Sequence, residues 1–309
     1  MASMRAAGAV VLAVLVALVA GCSGPVSSTP APVPAASPTV ARGTFLLTVD
    51  NRQFTMHVPA SYDPAKPAPL LLLLHGYSAS GALQESYLKF TPESDRLGFL
   101  YAYPDGKIDQ RNQHYWNATD ACCDLFGTKV DDSRYLSDVI KRIVAIYRVD
   151  TRRVYLAGHS NGAFMSFRMA CDHADQITAI AALNGAMWAD VTRCRPSTAV
   201  SVLDIRSTAD QTIRYGGGNI LTHAYPSAAQ TDADWLGFDH CGRTPVKAPA
   251  LDLVPDLAGA ETSVLRYAAG CAGGSTVDTW TITGGVHIPS FSDAFAPAVM
   301  RFLLAHAKP

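Results

Sequence analysis

Residues 154–165 read Val-Tyr-Leu-Ala-Gly-His-Ser-Asn-Gly-Ala-Phe-Met: an apolar run, a serine with glycine two residues to either side, then apolar residues at helical spacing. A serine on a tight turn between a strand and a helix has its hydroxyl exposed, placed to attack an acyl carbonyl as a nucleophile. Gly158 and Gly162 suit such a turn, where side chains would collide with the strained backbone. The helix that starts after Ser160 would aim the positive end of its dipole at the developing oxyanion, with the Asn161 amide as a candidate donor.

A serine hydroxyl needs a base, and the base needs an acid to orient it. In the fold that uses this strand-turn-helix serine, the chain order is serine, acid, histidine, each on a loop after a strand. After the apolar segment Val200–Ile205 comes Arg206-Ser207-Thr208-Ala209-Asp210, which puts Asp210 on a loop at a carboxyl end. Asp204 lies inside that segment, and Asp232 and Asp234 lie further on, so all three rank below it. Val277–Ile282 reads as a strand, and Thr283-Gly284-Gly285-Val286-His287 follows it, which makes His287 the candidate base. His223 and His240 follow no core strand, and His306 ends the last helix. His75-Gly76-Tyr77-Ser78 follows the run Leu70–Leu74, where the backbone N–H of Tyr77 is the second candidate oxyanion donor and His75 a packing residue. Asp131 and Asp132 open a helix and are read as caps.

These side chains require particular elements behind them. Leu70–Leu74, Phe99–Tyr103, Val154–Ala157, Ile177–Ala182 and Val200–Ile205 are short continuous apolar runs, the mark of strands buried on both faces. Segments with helical spacing, Ser133–Tyr147 and Ala163–His173, lie between them, and strands alternating with helices imply right-handed parallel crossovers. Thr44–Val49 and Gln53–Val58 alternate around Asp50-Asn51-Arg52, which predicts an antiparallel hairpin at the start of the domain. A helix over Ser292–Ala305 closes the chain. The expected fold is the α/β-hydrolase fold: a mostly parallel central sheet, helices on both faces and an N-terminal antiparallel hairpin. From about 214 to 270 the alternation is lost, and that stretch is expected to be an insertion over the mouth of the site.

The first 42 residues stand apart from this domain of 43–309. A basic start at Arg5, an apolar run Ala6–Ala20 and Gly21-Cys22 read as a secretory signal over 1–21, with a run too short to span a bilayer. Leu18-Val19-Ala20-Gly21-Cys22 resembles a bacterial lipobox, which makes Cys22 the expected lipid attachment point and the membrane an expected partner. Residues 22–42, with Pro25, Pro30, Pro32, Pro34 and Pro38, are expected to be an extended tether. Beyond Cys22, six cysteines in an exported chain favour disulfides, and Cys241 with Cys271 is the expected pair. They show no zinc-like spacing, so a metal site is not expected. With 25 Lys+Arg against 26 Asp+Glu the net charge of -1 offers no field for nucleic acid. Nothing in the pattern decides the oligomeric state.

Together these segments resemble the polyhydroxyalkanoate depolymerase and feruloyl esterase family, including its actinobacterial lipoprotein esterase type. The resemblance is carried by Leu74-His75-Gly76, Trp116-Asn117 leading to Cys122-Cys123, Val130-Asp131-Asp132, Gly158–Gly162, Ser207-Thr208-Ala209-Asp210 and Gly284-Gly285-Val286-His287. It implies a cofactor-free serine hydrolase of carboxylic esters and supports the roles given to Asp210 and His287. Where family members often carry a tryptophan two residues after the histidine, this chain has Pro289, so the resemblance does not extend to the substrate pocket. An exported, tethered protein does not meet storage polymer in its own cytoplasm, so small or exposed aromatic-acid or short-chain esters outside the cell are the expected substrates. An envelope acyltransferase and a catalytically silent surface binding lipoprotein are the two other readings of the same pattern.

Overall fold

The computed structural model describes residues 41–309. The signal peptide, Cys22 and most of the tether expected from the sequence lie outside the described residues.

The domain opens with β1 (Gly43–Val49) and β2 (Arg52–Val58), a hairpin whose loop residues Asp50 and Asn51 both have positive φ, the turn that matches strand twist. β3 (Ala68–Leu74), α1 (Gly81–Leu88), α2 (Phe90–Leu97) and β4 (Leu100–Pro104) follow, then a small ribbon of β5 (Lys107–Ile108) and β6 (His114–Tyr115). α3 (Asp132–Ile146), β7 (Val149–His159), α4 (Asn161–Asp172), β8 (Ala179–Leu183) and β9 (Ser201–Ser207) continue the alternation. A second ribbon, β10 (Gly218–Ile220) with β11 (His223–Tyr225), leads to α5 (Ala228–Phe238), β12 (Val246–Leu251), β13 (Thr262–Tyr267), β14 (Val277–Ile282) and α6 (Phe295–Leu304).

Ten strands form one sheet in the order β1-β2-β4-β3-β7-β8-β9-β14-β13-β12. The six central strands, β4 to β14 in that order, are parallel, and an antiparallel pair flanks them on each side. The leucine run of β3 explains why both faces are covered. Leu70, Leu72 and Leu74 pack with Tyr135, Leu136 and Val139 of α3 and Phe164 and Phe167 of α4, whereas Leu71 and Leu73 pack with Leu88, Phe90 and the α6 residues Phe295 and Val299. Successive side chains of a strand point to opposite faces, so an all-apolar strand requires two helical layers. α4 is buried along nearly its whole length, which matches its lack of a polar stripe.

The stretch 214–270 corrects the sequence expectation. It is no insertion over the mouth: α5 packs on β9 and β14, and β12 and β13 extend the main sheet. Their pattern hid them because β12 is an edge strand, mostly exposed and interrupted by Pro249. Asp232 of α5 faces Asp204 of β9, and Arg206 bridges Asp204 Oδ1 at 2.8 Å. Burial and the neighbouring Asp204 hold the Asp232 carboxyl well above the usual range. Cys241 and Cys271 are joined as expected, tying the end of α5 to the approach to β14; Cys171–Cys194 and the adjacent Cys122–Cys123 complete three disulfides.

Candidate active site

β7 delivers Ser160 at the carboxyl edge of the sheet with φ 54° and ψ -119°, a conformation L-residues rarely hold. The glycines on either side are required by clearance. A Cβ at Gly158 would strike the Gly162 carbonyl, and one at Gly162 would strike the Leu74 carbonyl and lie 2.7 Å from the His75 oxygen. The end of β3 and the turn are thus in backbone contact, and the Ser160 amide donates to Leu183 O of β8 at 2.8 Å, fixing the turn from the other side.

The loops after β9 and β14 bring two more residues to the serine. His287 Nε2 lies 2.9 Å from Ser160 Oγ, and His287 Nδ1 lies 2.7 Å from Asp210 Oδ2. Asp210 is 3% exposed, and its Oδ1 accepts from the amides of Thr212 at 2.7 Å and Ile213 at 2.9 Å. Buried carboxylates need such partners to stay ionised. With Asp210 accepting from Nδ1–H, the Nε2 of His287 is left bare to accept the Ser160 proton. The two loops are also stitched together directly: Ala209 N donates to Gly285 O at 2.9 Å and Gly284 N to Thr208 Oγ1 at 2.8 Å.

On the other side of Ser160 stand Tyr77 and Asn161. Among the described residues neither backbone amide donates to a protein acceptor. The Asn161 side chain is fully engaged elsewhere: its Oδ1 accepts from Trp116 N at 2.7 Å and its Nδ2 donates to Trp116 O at 2.9 Å. His75 is buried below this loop, where Nδ1 donates to Gly76 O at 2.8 Å and Nε2 accepts from Gly106 N at 2.9 Å. Burial lowers its pKa to about 4, so it is a neutral strut. His159 is likewise lowered to about 4 by burial and by the adjacent His287, and its Nε2 donates to His287 O at 2.9 Å.

Sequence reasoning missed Asn184. It sits at the end of β8 with φ 49°, accepts from Ser207 N at 2.8 Å, and donates to Val286 O and His287 O at 3.2 and 3.0 Å. One side chain therefore ties the strand of the acid to the loop of the base, and only its place after an apolar strand could have marked it. Asp131 is the cap of α3, accepting from Arg134 N at 3.0 Å, whereas Asp132 is buried against Arg52 at 2.8 Å. His306 is engaged elsewhere, with Thr276 and the Phe302 carbonyl, and His223 lines a separate depression with Trp188 and Asp190. Among the described residues no cluster of His, Cys, Asp or Glu could hold a metal ion.

A cavity of about 360 Å³ opens over Ser160, its walls mostly apolar and formed by Tyr77, Leu83, Tyr87 and Ile288. The site therefore pairs a hydroxyl, a bare imidazole nitrogen and two spare amides with room for an apolar group.

Residues 54–226, more than half of the chain, match the family model described as esterase PHB depolymerase. The chain is 27% identical over 244 residues to feruloyl esterase B of Piromyces equi, a match covering 76% of this chain and 42% of that one. It is 24% identical over 279 residues to feruloyl esterase D of Neurospora crassa, covering 84% of each. The chain thus spans less than half the length of the first of these relatives. The acetyl xylan esterase from Aspergillus awamori superposes with a TM-score of 0.61 at 13% identity, over 84% of this chain and 98% of that one, a likeness of fold.

Proposed function

The chain belongs to the esterase PHB depolymerase family, and from that premise we propose that it is a serine hydrolase that cleaves carboxylic esters through an acyl-enzyme. The observation that carries the reading is the hydrogen-bonded series Ser160 Oγ, His287 and Asp210, with Ser160 held at positive φ. His287 Nε2 takes the hydroxyl proton as Ser160 attacks the ester carbonyl. The Tyr77 and Asn161 amides, spare among the described residues, receive the oxyanion. Protonated His287 gives its proton to the leaving alcohol, and the bare nitrogen then activates water to release the acid. Asp210 stays ionised throughout, holding the tautomer and balancing the imidazolium.

The same reading places the enzyme outside the cytoplasm, held to the membrane by lipid on Cys22 and acting on small or exposed esters there. Three disulfides support an oxidising compartment, and among the described residues no helix is long and apolar enough to cross a membrane. Esters of aromatic acids or short acyl chains suit a cavity of this size and lining.

The test is turnover of a p-nitrophenyl acyl series and methyl ferulate by the purified protein and its Ser160→Ala variant. Rates fall by about 10⁴-fold or more in the variant if Ser160 is the nucleophile. Absence of turnover on every ester, together with no labelling of Ser160 by a fluorophosphonate, overturns the reading. In cells, radiolabelled palmitate incorporated by the wild type and not by Cys22→Ala checks the anchor; equal labelling rejects it.

A further inference from the structure

Tyr87 of α1 stands between two cavities. On one side its ring meets His159 edge-on at 5.6 Å and walls the space over Ser160; on the other it lies 5.9 Å from Phe291 and walls a second space of about 270 Å³. The floor of that second space is Phe291 stacked on Phe295, ring centroids 3.7 Å apart. The Tyr87 hydroxyl donates to Pro289 O at 2.8 Å, two residues after His287, and so pins the ring in place across the gap between α1 and the loop of the base. The Lys89–Asp293 ion pair at 3.2 Å borders the second space on its outer rim.

Resting on the esterase reading above, we propose that Tyr87 is a partition that sets specificity. It closes the catalytic cavity against its neighbour and so limits the length of the ester's apolar limb, and the aromatic-floored second cavity is a latent extension of the same site. Two observations support this. The mouth of the first cavity carries Leu83 at 59% and Ile288 at 60% exposure, apolar surface that a bound hydrocarbon chain would cover. The second cavity offers further apolar surface directly behind the ring. Each methylene buried improves binding by a factor of roughly four, so selectivity should climb with chain length until the chain meets Tyr87, then stop climbing.

The experiment measures kcat/KM for p-nitrophenyl esters from acetate to dodecanoate, and for butyrate esters of methanol to octanol, with wild type, Tyr87→Phe and Tyr87→Ala. Tyr87→Ala raises the long-to-short ratio by about tenfold or more in one series, the worth of roughly two methylenes; the series that responds identifies the limb. Tyr87→Phe, which keeps the ring and loses only the bond to Pro289, stays within a factor of about four of wild type. Unchanged profiles in both series for a folded Tyr87→Ala overturn the proposal. Should that variant fail to fold, Tyr87→Leu replaces it, with a smaller shift in the same direction expected and no shift counting against the partition. Calorimetric binding of butanoate, decanoate, butanol and octanol to Ser160→Ala, with and without Tyr87→Ala, separates the two claims. If wild type turns over no ester, the esterase reading fails, while a preference for the longer acid or the longer alcohol that appears only with Tyr87→Ala still upholds the partition, and its absence in both pairs removes it.

Discussion

On one wall of the site, the loop after β3 and the turn around Ser160 meet backbone to backbone. Gly158 and Gly162 leave no volume there, and buried His75 braces the loop through Gly76 and Gly106. On the opposite wall, the loops after β8, β9 and β14 are held by hydrogen bonds: Asn184 donates to the Val286 and His287 carbonyls, Asp210 accepts from the Thr212 and Ile213 amides, and Ala209 N donates to Gly285 O. The nucleophile is thus positioned by excluded volume and the base by polar bonds. Steric positioning tolerates almost no change, because close-packed backbone cannot relax. Polar positioning degrades in steps, one bond at a time.

The largest expected effect breaks the steric wall. In Gly162→Ala the new methyl meets the Leu74 carbonyl and the His75 oxygen, all backbone, so the turn has to shift. We expect a loss of about 3 kcal/mol or more in unfolding free energy and at least a hundredfold loss of ester turnover. Gly216→Ala is the control, since a methyl there meets nothing within 4 Å. Urea midpoints and kcat/KM measured side by side check both. Equal midpoints for Gly162→Ala and wild type would falsify the claim that volume, rather than sequence habit, demands glycine.

An intermediate effect concerns the strut beneath that wall. His75 titrates at about 4 in the folded chain against 6.5 when unfolded, because burial penalises its charged form. Its folded pKa is lowered, so between about pH 6.5 and pH 4 the unfolded state binds more protons and stability falls as pH falls. His159 acts in the same direction. Asp239, pushed up to about 6 by burial, acts in the opposite one, losing stability as pH rises. The total pH profile therefore mixes signs, whereas the difference between wild type and His75→Gln isolates His75. That difference should shrink by about 3 kcal/mol on going from pH 7 to pH 4. Thermal melts of both proteins across that range check it, and a constant difference would show that His75 is protonated in place.

The contrast between the walls also explains what the sequence disclosed. The steric wall is local, so Gly158, Ser160 and Gly162 form a motif that names the nucleophile without any tertiary information. Strands buried on both faces are equally visible where they are apolar, as β3 and β8 are throughout and β7 is over residues 154–157, whereas β9 is buried along its length yet carries Asp204 and Arg206. Asp210 and His287 were legible only by their place after strands. What escaped was set by tertiary context: β12, an exposed edge strand interrupted by Lys247 and Pro249; α1 and α2, short and without a clear apolar stripe; and Asn184, whose partners lie 23 and more than 100 residues away. A bond between distant loops leaves no spacing to read.

Asn184 gives the sharpest and smallest test of the polar wall. Its positive φ costs asparagine little, and glycine at the same place costs less still, so Asn184→Gly removes the side-chain bonds without straining the backbone. The Val286 carbonyl then loses its donor and the His287 carbonyl one of its two, and His287 is left oriented by Asp210 at its ring and by His159 at its own carbonyl. A base displaced by a fraction of an ångström slows proton transfer without altering the apolar walls that hold the substrate. The expected outcome is a fall in kcat of about 10- to 100-fold, with KM changed by less than about threefold, while the melting temperature drops by a few degrees. A rise in KM at constant kcat would mean that Asn184 shapes the pocket instead. An unchanged kcat would mean that Asp210 alone suffices to hold the base, and the opposition between a steric and a polar wall would reduce to a single buried carboxylate.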